Sequence, residues 1–296
     1  MSDAVMVPGA RLHVERTGDG PPLLLISGGG GDADMYADVI PLLAGTFTVI
    51  AYDRRGNSRS PFTHPDAPID PATQAGDAVA ILDHYGLERA CVFGNSSGAI
   101  IALEMVIGHP DRLLGAVVHE PPLVQLLPAD SAERREIERL GRLGRDGHVM
   151  RAYAAFGGMT LPDPPRIFLS PSGQALIAAA THLVLAAGGL TRKITRREPD
   201  VMTRQLRNAE LTMRRELPAF CFDYRPDLAA LAATTAPWCP ATGRDSAGKP
   251  YYAPAHLLSE RLGVPCQEFP GGHVPFMRHP EEFTATLTKI LEGFQP

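Results

Sequence analysis

Ala90-Cys-Val-Phe-Gly94-Asn95-Ser96-Ser97-Gly98 is the stretch on which the reading of this chain turns. Ala90–Phe93 has the length and composition of a buried strand. The run from about Ser97 to Ile107, closed by Gly108 and Pro110, has those of a helix. The G-x-S-x-G between them falls where such a motif has to fall, on a turn from strand to helix. A turn this tight strains the backbone of its central residue, and side chains two positions away would collide, so those positions must be nearly bare. Ser96 has glycine on both sides at that spacing. Ser97 has Asn95 and Ala99, which excludes it as the centre. The turn holds the Ser96 oxygen clear of the sheet, which is where a nucleophile is useful. A Gly/Ser-rich turn without chemistry can carry the same five letters, so the context decides.

Outward from this stretch the chain alternates strands with helices. Arg11–Arg16 alternates as a half-buried strand does. Leu23–Ile26 and Phe47–Tyr52 are short apolar runs that read as buried parallel strands, with a short helix near Met35 to Leu43 between them. A helix over Thr73–Tyr85 stops at Gly86, and Gly115–His119 is a further strand. The pattern predicts an α/β fold, a mostly parallel sheet flanked by helices on both faces. From about Leu123 to Ala232 no strand is evident. Asp130 and Glu133 have capping-box spacing, and Met202, Leu206, Ala209, Met213 and Leu217 recur on one helical face. This stretch is net basic, whereas the rest is net acidic. It reads as an inserted helical lid, giving a core of residues 1–122 and 233–296 and a cap of 123–232. Strands resume at Pro237–Thr242 and Val264–Phe269, and a helix from Pro280 to Phe294 ends the chain.

Composition narrows the function. With 296 residues, 44% hydrophobic and 21% charged, the chain is an ordinary globular protein. A net charge of −5 gives no reason to expect nucleic acid. Cys91, Cys221, Cys239 and Cys266 form no C-x-x-C pair, which suits a reducing cytoplasm. The start of the chain lacks the pattern of a signal peptide. The most apolar stretch, Ala175–Leu190, is too short to span a bilayer and reads as a buried helix. The cysteines and histidines show no metal-ligand spacing, and no cofactor is expected. The implied partner is a small molecule. Oligomeric state stays open, a homodimer included.

A serine hydroxyl needs a base. His273, in Gly271-Gly-His-Val-Pro275, sits after the last strand and before the last helix, on a loop able to reach over the sheet edge; His119 is its rival. The imidazole needs an acid to fix its tautomer. Asp245 follows the strand ending at Thr242 and is the first choice. Glu120, at the end of another strand in His119-Glu-Pro-Pro122, is the alternative, and the order Ser…Asp/Glu…His fits either. A tetrahedral oxyanion needs two N–H donors. The backbone of Ser97 supplies one, and the loop Ser27-Gly-Gly-Gly-Gly31 the other, with Gly29 ahead of Gly30.

Taken together, Ser27-Gly28 with its glycines, Asp53-Arg-Arg-Gly-Asn-Ser-Arg-Ser60, the turn at Ser96, Gly243-Arg-Asp245 and Gly272-His-Val-Pro275 resemble the α/β-hydrolase fold family over residues 4–122 and 233–296. The resemblance implies an eight-stranded sheet with a helical cap after the sixth strand, and a structural role for Asp53 and Arg54. Ser27 departs from the histidine that many relatives carry, so the support of the oxyanion loop is expected to differ. Gly29 and Ser97 do not match the perhydrolase pattern. The function expected is acyl transfer from a small, largely apolar carboxylic ester or lactone, with C–C bond hydrolysis, lyase, cofactor-free oxygenase and ligand-receptor roles as alternatives on the same fold. A remote alternative is a nucleotide-binding oxidoreductase, because Gly28–Ala33 fits G-x-G-x-x-A and Asp53 ends the next strand.

Overall fold

The computed structural model describes residues 2–195 and 199–294, with residues 187–195 described by backbone alone. In chain order the elements are β1 (Ser2–Val7), β2 (Ala10–Thr17), β3 (Pro22–Ile26), α1 (Ile40–Leu43), β4 (Thr48–Tyr52), α2 (Pro71–His84), β5 (Ala90–Asn95), α3 (Ser97–Gly108) and β6 (Leu113–His119). Then come α4 (Ala132–Arg145), α5 (Val149–Thr160), α6 (Pro171–Thr195), α7 (Val201–Leu211) and α8 (Leu228–Ala233). The chain closes with β7 (Trp238–Gly243), α9 (Tyr252–Leu262), β8 (Gln267–Phe269), α10 (Pro275–Arg278) and α11 (Pro280–Glu292).

Among the described residues, eight strands form one sheet in the order β1-β2-β4-β3-β5-β6-β7-β8. The β1–β2 and β2–β4 pairs are antiparallel and the others parallel. Its central strands are apolar at nearly every position because both faces are covered. Leu24, Ile26, Ile50 and Val92 pack in one cluster with residues of α2 and α3. Leu23, Leu25, Val49 and Phe93 point the other way, into a cluster that includes Leu43, Phe283 and Leu287. The parallel order brings the carboxyl ends of β3, β5, β6 and β7 to one edge, where the chain leaves each strand at Ser27, Ser96, Glu120 and Arg244.

Several local expectations are corrected. The start of the chain is strand β1, an edge strand with exposed alternate positions. The helix near Met35–Leu43 is divided into a 3-10 turn, Ala33–Tyr36, and the four residues of α1. Helix α4 is capped by Ser131, whose side chain accepts the Arg134 N–H, and not by Asp130. Where the side chains of α6 are described, through Ala186, the helix is not the buried one expected of 175–190: Leu176, Leu183 and Val184 are exposed, and residues 187–190 of that stretch lie outside the described side chains. Ala209, Met213 and Leu217 are buried as their spacing predicted, but Met202 is exposed. Helix α7 runs on into π-helical turns at Thr212–Glu216 and Pro218–Asp223, a distortion that often marks functional sites.

Two glycine-to-alanine substitutions test this packing. A Cβ at Gly98 would lie 2.2 Å from the Ile26 carbonyl oxygen, whereas one at Gly76, on the exposed face of α2, meets nothing within 4 Å. Gly98→Ala is expected to lower unfolding free energy by about 3 kcal/mol or more, and Gly76→Ala to raise it by about 0.5–1 kcal/mol, in denaturant titrations.

Candidate active site

Ser96 has φ 57° and ψ −122°, a conformation disfavoured for a residue with a side chain. The glycines that flank it are required by space. A Cβ on Gly94 would fall 2.3 Å from the Gly98 carbonyl oxygen, and one on Gly28 would fall 3.0 Å from Ser96 Cβ. The strand and helix therefore close on each other beneath Ser96, and the 27–31 loop lies directly beside it. The Ser96 N–H donates to the His119 carbonyl, tying the turn to the end of β6.

His273 and Glu120 meet at this edge. The His273 Nδ1 lies 2.7 Å from Glu120 Oε2, and both side chains are buried. The other carboxylate oxygen, Oε1, accepts the Gly243 N–H at 2.7 Å. Burial by itself would raise the Glu120 carboxyl. The His119 and His273 imidazoles and the His273 hydrogen bond outweigh it and hold the group below its ordinary value. An ionised carboxylate only accepts, so Nδ1 carries the proton and Nε2 is left as the basic nitrogen. Tyr251 stacks on the imidazole with ring centroids 3.7 Å apart, and its hydroxyl donates to the Met159 carbonyl in α5.

Asp245, the acid placed first from sequence, is not the partner of His273. After β7 the chain turns, with the Asp245 N–H donating to the Gly271 carbonyl and the Ser246 N–H to Gly243. That turn points Asp245 into solvent and buries Ser246 instead. The alternative acid, Glu120, occupies the position. Its own φ of 51° is left-handed, and its N–H continues the sheet ladder to Ala241.

Gly29, Ser96, Ser97 and His273 line one cavity of about 30 Å³. Its other walls include Phe156, Met159, Leu217 and Phe220, and of these Leu217 belongs to the apolar helical face read from the sequence. That volume leaves room for little more than a water or two. Glu216 also lines it, with its carboxylate accepting from Arg54 Nη2 at 3.0 Å and Asn57 Nδ2 at 3.2 Å. Neither Tyr251 nor Glu216 carried a recognisable signal in the sequence. A larger cleft of about 510 Å³, between Arg11, His13, Arg59 and Arg207, holds neither Ser96 nor His273.

The rival assignments fare poorly. His119 is fully buried between Phe93 and Phe269, bonds Asn95 Oδ1 at 2.8 Å, and is pushed down to about 4, chiefly by burial. Burial disfavours its charged form, and aromatic rings wall it off. Asp53 has both oxygens occupied, by the Ala33 N–H and by Arg59, and so cannot bind a ribose. The glycine loop leads into a 3-10 turn and not the long helix a dinucleotide site needs. Among the described residues no cluster of His, Cys, Asp and Glu could hold a metal, and no helix is long and apolar enough to cross a membrane.

Comparison with known proteins agrees with this architecture. Residues 21–146 match the family model described as the alpha/beta hydrolase fold. An uncharacterised hydrolase of Bacillus subtilis (strain 168), YraK, is 30% identical over 288 residues, covering 97% of this chain and 95% of its own. Among solved structures, Est816, described as an N-acyl homoserine lactone degrading enzyme, superposes with a TM-score of 0.68 at 20% identity, covering 97% of this chain and 99% of that one. The enol-lactonase from Burkholderia xenovorans LB400 gives 0.67 at 19% identity, covering 98% and 100%. With a mostly parallel sheet, a serine at the strand-to-helix turn and a full-length hydrolase relative, the chain belongs to the α/β-hydrolase fold family and is a hydrolase of that fold.

Proposed function

We propose that this hydrolase cleaves a small, largely apolar carboxylic ester or lactone through an acyl-enzyme, using Ser96, His273 and Glu120. The observation that carries the reading is the 2.7 Å bond between Glu120 and His273 Nδ1, at a cavity that both His273 and Ser96 line. Ser96 Oγ attacks the carbonyl carbon while His273 Nε2 takes its proton, and Glu120 stabilises the imidazolium so formed. The N–H groups of Gly29 and Ser97 receive the charge that develops on the carbonyl oxygen. The imidazolium then protonates the departing alkoxide. A water molecule, activated by the same nitrogen, attacks the acyl-enzyme, releasing the acid and restoring Ser96. Residues 123–232 act as a cap whose Phe156, Met159 and Phe220 exclude water from the site and favour an apolar acyl group. The free thiols Cys91, Cys221, Cys239 and Cys266 suit a reducing compartment such as the cytoplasm.

A fluorophosphonate probe should label Ser96, read by peptide mass. Ser96→Ala should lower turnover of p-nitrophenyl esters or lactones by about a million-fold; retention of most activity would overturn the mechanism. Glu120→Gln should cost about 10⁴-fold in kcat, whereas exposed Asp245→Asn should stay within about twofold of wild type. The opposite ranking would return the acid role to Asp245.

Stability should follow the same carboxylate. Because Glu120 is held below its ordinary value in the folded chain, its contribution is present above the unfolded value and is lost as pH falls through the lower folded one. Melting curves of wild type and Glu120→Gln should differ near neutrality, and the gap should close only as pH falls below the ordinary carboxylate range and through the lowered folded value. A constant gap would contradict the lowered carboxyl.

A further inference from the structure

The Gly28 carbonyl and the Gly29 N–H belong to one trans peptide and so point to opposite sides of it. On the carbonyl side stands the buried guanidinium of Arg54, whose Nη2 donates to Gly28 O at 3.0 Å. The same nitrogen donates to Glu216 Oε2 at 3.0 Å, and Nη1 donates to Gln74 Oε1 at 3.1 Å. Gln74 is itself fixed, its amide donating to the Ile69 carbonyl at 2.8 Å. Glu216 is 2% exposed and sits at the end of the π-helical turn that continues α7. Its second oxygen accepts from Asn57. Ser27 takes no part, since its hydroxyl is buried without a partner among the described residues.

We propose that Arg54 and Glu216 are positioning residues for the oxyanion hole. This rests on the reading that Ser96 is acylated and that Gly29 N–H receives the oxyanion. A run of four glycines has no conformational preference strong enough to aim one amide. Among the described residues, the only backbone hydrogen bond across the turn is a long one, from Gly31 N–H to Gly28 O at 3.4 Å. The charge-assisted bond from Arg54 fixes the plane of the Gly28–Gly29 peptide. By withdrawing electron density through its carbonyl, it also makes the opposite N–H a better donor. Glu216 sets where the guanidinium lies, and Arg54 would otherwise be a buried cation with no anionic partner. The next carbonyl but one is held from the same part of the chain: Asn208 of α7 donates to Gly30 O at 3.2 Å and accepts the Ser58 N–H at 2.8 Å. The glycine loop thus takes its shape from side chains anchored outside it.

The test uses the full-length enzyme and two variants: Glu216→Gln, which keeps the shape and removes the charge, and the double change Arg54→Met/Glu216→Met, which leaves no buried charge unpaired. Each is assayed for kcat and KM on the p-nitrophenyl ester turned over best by wild type. Each is also assayed for inhibition by a trifluoromethyl ketone with the same acyl group, which forms a tetrahedral oxyanion on the serine. Losing one donor entirely costs about 10²–10³-fold, so a misaimed one should lower kcat about tenfold in both variants. KM should move less than about threefold, and ketone inhibition should weaken in step with kcat, because the effect falls on the oxyanion and not on the bound ester. A purely structural role would shift melting temperature while leaving kcat and the ketone constant at wild-type values, and that result in either folded variant overturns the proposal. If Glu216→Gln fails to fold, the double variant decides. Activity surviving in Ser96→Ala would instead refute the triad itself, a different outcome from a dead Ser96→Ala beside a fully active Glu216→Gln.

Discussion

The turn at Ser96 leaves no space on either side, and the arrangement of the whole edge depends on that. With φ at 57°, the serine is held in a conformation that costs roughly 1–3 kcal/mol and persists only because β5 and α3 over-determine it. The same crowding that demands glycine at 94 and 98 brings the Ser27–Gly31 loop onto the serine, since Gly98 and Gly28 are the points of closest approach. A nucleophile raised on this turn can be served only by groups that reach over the carboxyl ends of the neighbouring strands. The strand order places those ends at Glu120 on one side and at the glycine loop on the other.

Why the carboxylate that bonds His273 lies after β6 and not beyond β7 follows from backbone geometry. At the end of β6 the chain makes one more ladder bond, from Glu120 N–H to Ala241 O, and a left-handed φ then turns the side chain toward β7. There the Gly243 N–H and the imidazole each bond one of its oxygens. At the end of β7, by contrast, the chain folds back against Gly271, spending the Asp245 N–H on that turn and sending its carboxylate outward. A Cβ on Gly243 would lie 2.5 Å from the Gly272 carbonyl oxygen, so the loop bearing His273 packs against this corner without room to spare.

The parallel core was legible because its strands are buried on both faces and read as short apolar runs between glycines and aspartates. β1 was not, since as an edge strand it exposes half its residues and carries no such run. The apolar 175–190 segment misled in the other direction: hydrophobicity says that a helix can be buried, not that a neighbour exists to bury it, and α6 leaves Leu176 and Leu183 in water. Ser96 was marked by glycines that local sterics demand, and His273 by its place on a glycine loop between the last strand and the last helix. The choice between Glu120 and Asp245 turned on which way one residue faces after a strand, and chain order alone could not resolve that. Arg54 and Glu216 lie 162 residues apart, and no local pattern links two such positions.

Buried ion pairs contribute little net stability, because desolvation cancels most of their attraction. Their presence around a small apolar cavity therefore calls for another reason, and directionality supplies one. Glu120 fixes one edge of the imidazole, and Tyr251 covers its face while its hydroxyl is held by the Met159 carbonyl of α5. Arg54 fixes the glycine loop while Glu216, beyond α7, holds the guanidinium. Both the proposed base and the proposed oxyanion donor are thus tied at one end to the sheet and at the other to the helices inserted between β6 and β7. A group anchored from two sides loses its freedom to wander before the reaction starts, and an apolar, water-poor surround strengthens every dipole so aimed. The helices between β6 and β7 therefore supply contacts that aim the polar groups of the cavity, through Glu216, Asn208 and the Met159 carbonyl that holds Tyr251.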